Sequence, residues 1–171
     1  MNMGRKLELI NPANGEKFRE LAYHSWKEAE SLLTTAGNAQ KEWKHTEITE
    51  RIQLVNAAMD YFRANERTIA EDITRQMGKP ISQSKNEVKG MIHRAEACCT
   101  LAEDTLKDIT FPEMEGKRRF IKREPLGVVL NIAAWNYPLL IAVNVVIPAV
   151  LMGNTVVIKH SSLTPLCGKA F

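Results

Sequence analysis

Two polar side chains stand where apolar runs of this 171-residue chain give out. Asn136 lies in the stretch AAWNYP, directly after the run GVVLNIA. Its amide is a neutral hydrogen-bond donor beside a stiff Trp–Tyr–Pro frame. Lys159 ends the run TVVIK, where an ammonium can reach a ribose hydroxyl or a phosphate. Each has a plainer alternative. Asn136 could satisfy its own backbone in a turn, and Lys159 could be a solvated strand end. No G-x-G-x-x-G follows the first run to mark a dinucleotide. Other chemistry is sparse: Cys98, Cys99 and Cys167 show no ligand spacing with the four histidines, so no metal site is expected.

The elements that must position Asn136 and Lys159 follow from the pattern around them. GVVLNIA is continuous and β-branched, as parallel strands are, and is expected to be buried. Pro138 suits the first turn of a helix, and residues 139–152 are apolar all round. Gly153 and Asn154 end that helix, TVVIKH is a second buried strand, and SSLTP opens another helix near residue 164. Strand, helix and strand make a right-handed parallel βαβ unit, whose ligands collect at the carboxyl ends of the strands. Those ends are Ala133–Asn136 and Lys159–Ser162. Two parallel strands are not a finished sheet.

Upstream, the chain changes character. Residues 1–125 hold 41 of the 43 charged side chains, and residues 126–171 hold only Lys159 and Lys169. LELINP and KFRELAYH flank an Asn14-Gly15 turn and predict a hairpin. Ser25-Trp26-Lys27-Glu28 is a capping-box pattern, with Ala29, Leu32, Leu33, Ala36, Gln40 and Trp43 following at helical spacing. Further helices are predicted at about 47–64, 66–77 and 81–107, the third stopping at Gly78-Lys79-Pro80. The fourth carries an apolar stripe from Val88 to Leu106 that takes in Cys99, and Phe111-Pro112-Glu113 is read as its break. KRRFIKR at 117–123 reads as a charged edge strand.

Several classes drop out on composition. Hydrophobic residues make up 44% and charged residues 25%, which is globular. A net charge of +3 is too balanced to propose a nucleic acid or an acidic membrane as partner. The apolar run 139–152 is short of the roughly 20 residues a span needs, and Asn144 and Pro148 interrupt it. MNMGRKLELI has no apolar core of a signal peptide, so a cytoplasmic protein is expected.

EPLGVVLNIAAWNYPLL and GNTVVIKHSSLTPL together resemble the aldehyde dehydrogenase superfamily. NPANGE, Glu42-Trp43 followed by Arg51, and MGKP at 77–80 resemble that family's early landmarks in the same order. The resemblance implies an α/β fold: an N-terminal hairpin and helical region, then an incomplete Rossmann-like parallel βαβ unit. It divides the chain into a hairpin and helical part of the cofactor-binding domain (1–110), a strand of an oligomerisation hairpin (111–126) and the first βαβ unit (127–171). It implies NAD or NADP as cofactor, a small-molecule aldehyde as substrate and a homo-oligomer for the complete protein. Asn136 would be the oxyanion donor. Lys159 would bind the adenosine ribose, with the backbone around Ala133 and Trp135 lining the cleft.

Two departures qualify the resemblance. Ala134 stands where the family often has proline before the tryptophan, which removes no donor. Ser162 stands where NAD-preferring members often have a glutamate that takes both ribose hydroxyls, so NADP should be tolerated. The alternative for Ser162 is an N-cap for the helix near 164. The family's cysteine nucleophile and glutamate base lie beyond Phe171, and Cys167 falls outside the motif as a packing residue. An N-terminal fragment, inactive alone, is therefore expected. The other reading is a non-catalytic relic or an interaction module pairing with a full-length paralogue.

Overall fold

The computed structural model describes residues 6–171. The first five residues, at the head of the stretch read above for a signal peptide, lie outside it. Strands β1 (Lys6–Ile10) and β2 (Lys17–Ala22) form the antiparallel hairpin, turning through Gly15 at a φ of 73°. Helix α1 (Trp26–Trp43) starts with the capping box: the Glu28 amide donates to Ser25 Oγ at 3.2 Å, and the Ser25 amide donates to Glu28 Oε2 at 2.6 Å. Helices α2 (Ile48–Ala64), α3 (Glu66–Met77) and α4 (Ile81–Leu106) follow. Gly78 takes the left-handed conformation that ends α3, its φ being 75°. Next come β3 (Ile109–Thr110), β4 (Phe120–Ile121), β5 (Val128–Ile132), α5 (Pro138–Leu151), β6 (Thr155–Lys159) and α6 (Pro165–Ala170).

β5 and β6 pair in parallel with α5 between them, as the βαβ pattern requires. One continuous core joins the two halves of the chain. Met59, Phe62 and Ile73 pack with Met91 and Val88 of α4 and with Leu139 and Val143 of α5. The apolar all-round surface of α5 is explained by its place between α4 and the strands. No helix among the described residues is long and apolar enough to cross a membrane.

The structure corrects several expectations. β5 is not a buried strand: Leu130 is 59% and Ile132 68% exposed, whereas the other face turns Asn131 into the interior, where its amide donates to Ala142 O at 3.3 Å. β6 is half-buried. α1 has no fully buried residue, and Leu32 and Leu33 are exposed; its half-buried residues are Ala29, Ala36, Gly37, Gln40 and Trp43. α4 ends at Leu106, within a residue of the expected bound; Lys107 turns extended (ψ 144°), so it is the reading of Phe111-Pro112 as the break that is corrected. The basic stretch pairs only at Phe120–Ile121, against Ile109–Thr110.

Candidate functional site

Parallel register decides which groups meet at the strand ends. Ile132 stands opposite Lys159, and the Ala133 amide extends the ladder by one bond, donating to the Lys159 carbonyl at 3.2 Å. The loop 133–137 therefore leaves β5 beside the point where β6 finishes. His160 ties the two exits: its ring Nε2 donates to the Pro138 carbonyl at 3.2 Å. That bond fixes the tautomer, leaving Nδ1 bare and buried. Burial lowers the His160 pKa below its usual 6.5, outweighing the Pro138 bond that raises it, and Lys159 lowers it further.

Ala133 is buried, and Trp135, Asn136, Lys159 and Ser162 are exposed at this end of the sheet. Among the described residues, neither the Asn136 amide nor the Lys159 ammonium has a hydrogen-bonding or ionic partner. Asn136 is thus no self-satisfied turn residue. Ser162 is no cap either, because Thr164 holds the N-cap position of α6 and the Leu163 amide donates to Ser161 Oγ at 3.2 Å. The structure brings Ala133 and Lys159 into direct contact and sets the Asn136 loop beside them; Ser162 lies three residues past Lys159 on the following turn.

The loop is held from below by residues whose role the sequence did not disclose. Lys79 and Glu87 form an ion pair whose side chains are only 7% and 1% exposed. Lys79 Nζ also donates to the Asn136 carbonyl at 3.0 Å and lies 3.9 Å from the Tyr137 ring centroid. Glu87 Oε1 accepts from the Leu139 amide at 3.0 Å, capping the first turn of α5 where Tyr137, at the N-cap, offers no side-chain bond. One signal was present: Ser84, Glu87, Val88 and Met91 share one helical stripe, which puts a carboxylate among apolar neighbours.

The far end of α5 is fastened too. Trp43 Nε1 donates to the Val150 carbonyl at 3.0 Å, and Arg51 Nη1 to the Leu151 carbonyl at 2.8 Å. These are the Glu42-Trp43 and Arg51 landmarks, and they bond carbonyls of the last turn of α5, Val150 also accepting from the Gly153 amide at 3.0 Å. The cysteines are packing residues. Burial pushes the Cys167 thiol up to about 12 and raises that of Cys99. A thiol held that high supplies no thiolate near neutral pH. Among the described residues no group of three or more His, Cys, Asp or Glu is placed to hold a metal ion. A depression of about 650 Å³ lined by Arg51, Lys122 and Arg123 reaches Gly127, at the amino end of β5 and so away from the strand ends where ligands gather.

The model of the aldehyde dehydrogenase family matches residues 1–171. Betaine aldehyde dehydrogenase 2 of Rhizobium meliloti (strain 1021) is 34% identical over 168 residues, which cover 95% of this chain and 34% of that protein. The succinate-semialdehyde dehydrogenase [NADP(+)] of Mycobacterium leprae (strain TN) is 32% identical over 162 residues, 92% of this chain and 35% of its own length. The crystal structure of NADP-dependent glyceraldehyde-3-phosphate dehydrogenase from Bacillus halodurans C-125, complexed with NADP, matches with a TM-score of 0.91 at 30% identity, over 99% of this chain and 37% of that one. The chain spans about a third of the length of the curated relatives it matches. With the sequence match running from end to end and the fold superposing on solved members, the chain belongs to the aldehyde dehydrogenase family.

Proposed function

We propose that residues 1–171 supply the oxyanion donor and half of the dinucleotide cleft of an enzyme that oxidises an aldehyde to a carboxylate with NAD or NADP. The observation that carries this reading is the parallel register at Ile132 and Lys159, which sets two unpartnered donors at one end of a strand pair. The donor set fits a dinucleotide: an exposed ammonium, the hydroxyls of Ser161 and Ser162, and no carboxylate anywhere in residues 126–171 to repel phosphate. The bound dinucleotide would supply the hydride acceptor. Lys159 binds its adenosine ribose, and the backbone at Ala133 and Trp135 forms the wall.

Asn136 acts on the substrate. A nucleophile adding to the aldehyde carbon moves an electron pair onto the oxygen, and the amide N–H meets that charge. Losing such a donor costs about 3–4 kcal/mol of transition-state stabilisation. With no carboxylate at Ser162, a 2′-phosphate is tolerated, and relatives described as NADP-dependent are consistent with that choice. Cys167, buried and held protonated, is no nucleophile, so residues 1–171 alone turn over no aldehyde. In the complete protein, residues 1–110 and 127–171 form the cofactor side, and residues 111–126 belong to the hairpin of a homo-oligomer. A cytoplasmic location belongs to this proposal, and the free thiols of Cys98, Cys99 and Cys167 are consistent with it.

A chimera provides the test. Residues 1–171 joined to the remaining sequence of the Rhizobium meliloti enzyme should reduce NAD or NADP in the presence of an aldehyde. In it, Asn136→Ala should lower kcat about a hundredfold or more while the dinucleotide Kd changes less than about twofold. Equal losses in rate and in cofactor binding would reduce Asn136 to a structural residue. A folded, dinucleotide-binding chimera without turnover would favour the non-catalytic reading.

A further inference from the structure

We propose that the buried Lys79–Glu87 pair is the positioning device that aims the Asn136 amide. The inference rests on the reading of Asn136 as the oxyanion donor. Two opposite charges, 7% and 1% exposed, are an expensive way to fill a core unless their remaining bonds are satisfied. Here those remaining bonds all go to one short segment. Lys79 holds the Asn136 carbonyl at 3.0 Å and sits under the Tyr137 ring at 3.9 Å, and Glu87 holds the Leu139 amide at 3.0 Å. The clamp thus grips the carbonyl of the donor residue itself, the ring after it and the first turn of α5.

The grip bears on direction because of what it leaves open. The Asn136 side chain is exposed and has no hydrogen-bond partner among the described residues, so no hydrogen bond of its own orients the amide. Its Cα–Cβ direction follows from the adjoining backbone: Lys79 holds the peptide after it through the Asn136 carbonyl, and Glu87 fixes the start of α5 at Leu139, three residues on. A carbonyl needs a donor and an amide needs an acceptor; the ammonium supplies the first, the carboxylate the second, and pairing them neutralises both. Lys79 arrives from the Gly78 turn that ends α3, and Glu87 from the inward stripe of α4. The packed helical layer therefore sets the geometry of the strand-end loop.

Four variants of the chimera described above test the clamp: Asn136→Ala, Lys79→Met, the double variant Lys79→Met with Glu87→Leu, and that double variant combined with Asn136→Ala. Removing Lys79 alone should lower the unfolding midpoint, because it strands a buried carboxylate. The double variant should regain that midpoint, since apolar residues of similar volume replace a buried pair with little loss. Its kcat should nonetheless stay about tenfold or more below the parent with dinucleotide Kd within about twofold, and adding Asn136→Ala should bring kcat only to the level of Asn136→Ala alone, because both changes remove the same interaction. Recovery of kcat along with the midpoint would overturn the clamp, and so would losses that multiply. An Asn136→Ala variant with unchanged kcat would instead fell the oxyanion reading and the clamp's purpose with it. Hydrogen exchange of residues 1–171 gives a readout without turnover. In the double variant the peptide 133–141 should exchange about tenfold faster while 91–102 keeps its protection. Unchanged exchange at 133–141 would overturn the proposal.

Discussion

Ser162 and His160 flank the turn after β6 and do different things there. Ser162 is exposed and caps nothing, so a carboxylate in its place meets no steric objection. Ser162→Glu in the chimera should move the ratio of NAD to NADP turnover toward NAD by repelling the 2′-phosphate; an unchanged ratio would take Ser162 out of the cofactor site. His160 is structural. Its pKa lies below the usual 6.5, chiefly through burial, so the folded protein keeps the ring neutral while the unfolded chain takes up a proton below that pH. Its contribution is therefore intact above about pH 6.5 and is lost as the pH falls through the lowered value. His160→Gln retains a donor for the Pro138 carbonyl and cannot be protonated. Urea unfolding at about pH 7.5 and about pH 5 should show a smaller loss of stability on acidification for this variant than for the parent. Equal losses would mean that the ring titrates normally in the fold.

α5 is the element on which the site depends, and it is pinned at both ends by helices far away in sequence. Lys79 and Glu87 hold its start; Trp43 and Arg51 hold its last carbonyls. Arg51 also donates from Nη2 to the Lys44 carbonyl at 3.1 Å, bridging the α1–α2 turn to the end of α5. Arg51→Ala leaves both carbonyls without that donor and should cost about 2–4 kcal/mol in chemical denaturation. Arg51→Lys should recover only part, since an ammonium cannot fork to two carbonyls as a guanidinium does. A loss under about 0.5 kcal/mol would show that water replaces the contact. Gly153 sits against the same guanidinium, with φ at 84°, and a Cβ there would lie 3.1 Å from Nη1. Gly153→Ala is expected to disturb the same contact.

At the scale of the whole molecule the surface is too large for the mass. The accessible area is 11290 Å². A compact monomer of 19.3 kDa exposes about 8,500 Å². Part of the exposed apolar surface is on β5, at Leu130 and Ile132, beside a strand pair with no third strand among the described residues. Open strand edges with apolar faces associate. Sedimentation of residues 1–171 should show self-association at micromolar concentration, and Ile132→Lys should weaken it. A monodisperse monomer at tens of micromolar would mean that this face is stable in water. The same protein should show no aldehyde-dependent reduction of NAD or NADP. Turnover abolished by Cys167→Ser would reverse the assignment of that thiol.

What the sequence determined by itself is what local periodicity can carry. The ends of α2, α3 and α4 were legible to within a residue or so, because apolar spacing and the Gly78 stop are properties of neighbouring residues. The parallel strand pair was legible from two β-branched runs separated by one helix, and Asn136 and Lys159 from their places just past those runs. Burial was not. Hydrophobicity says that β5 can be covered, and only the packing shows that the Leu130 and Ile132 face lies open. Nor were the clamps legible. Lys79 reaches Asn136 across 57 positions, and Arg51 reaches Leu151 across 100. A hydrogen bond between such distant groups leaves no periodic trace in either segment. It exists only because α3, α4 and α5 share one core, and that shared core sets where the Asn136 amide is held.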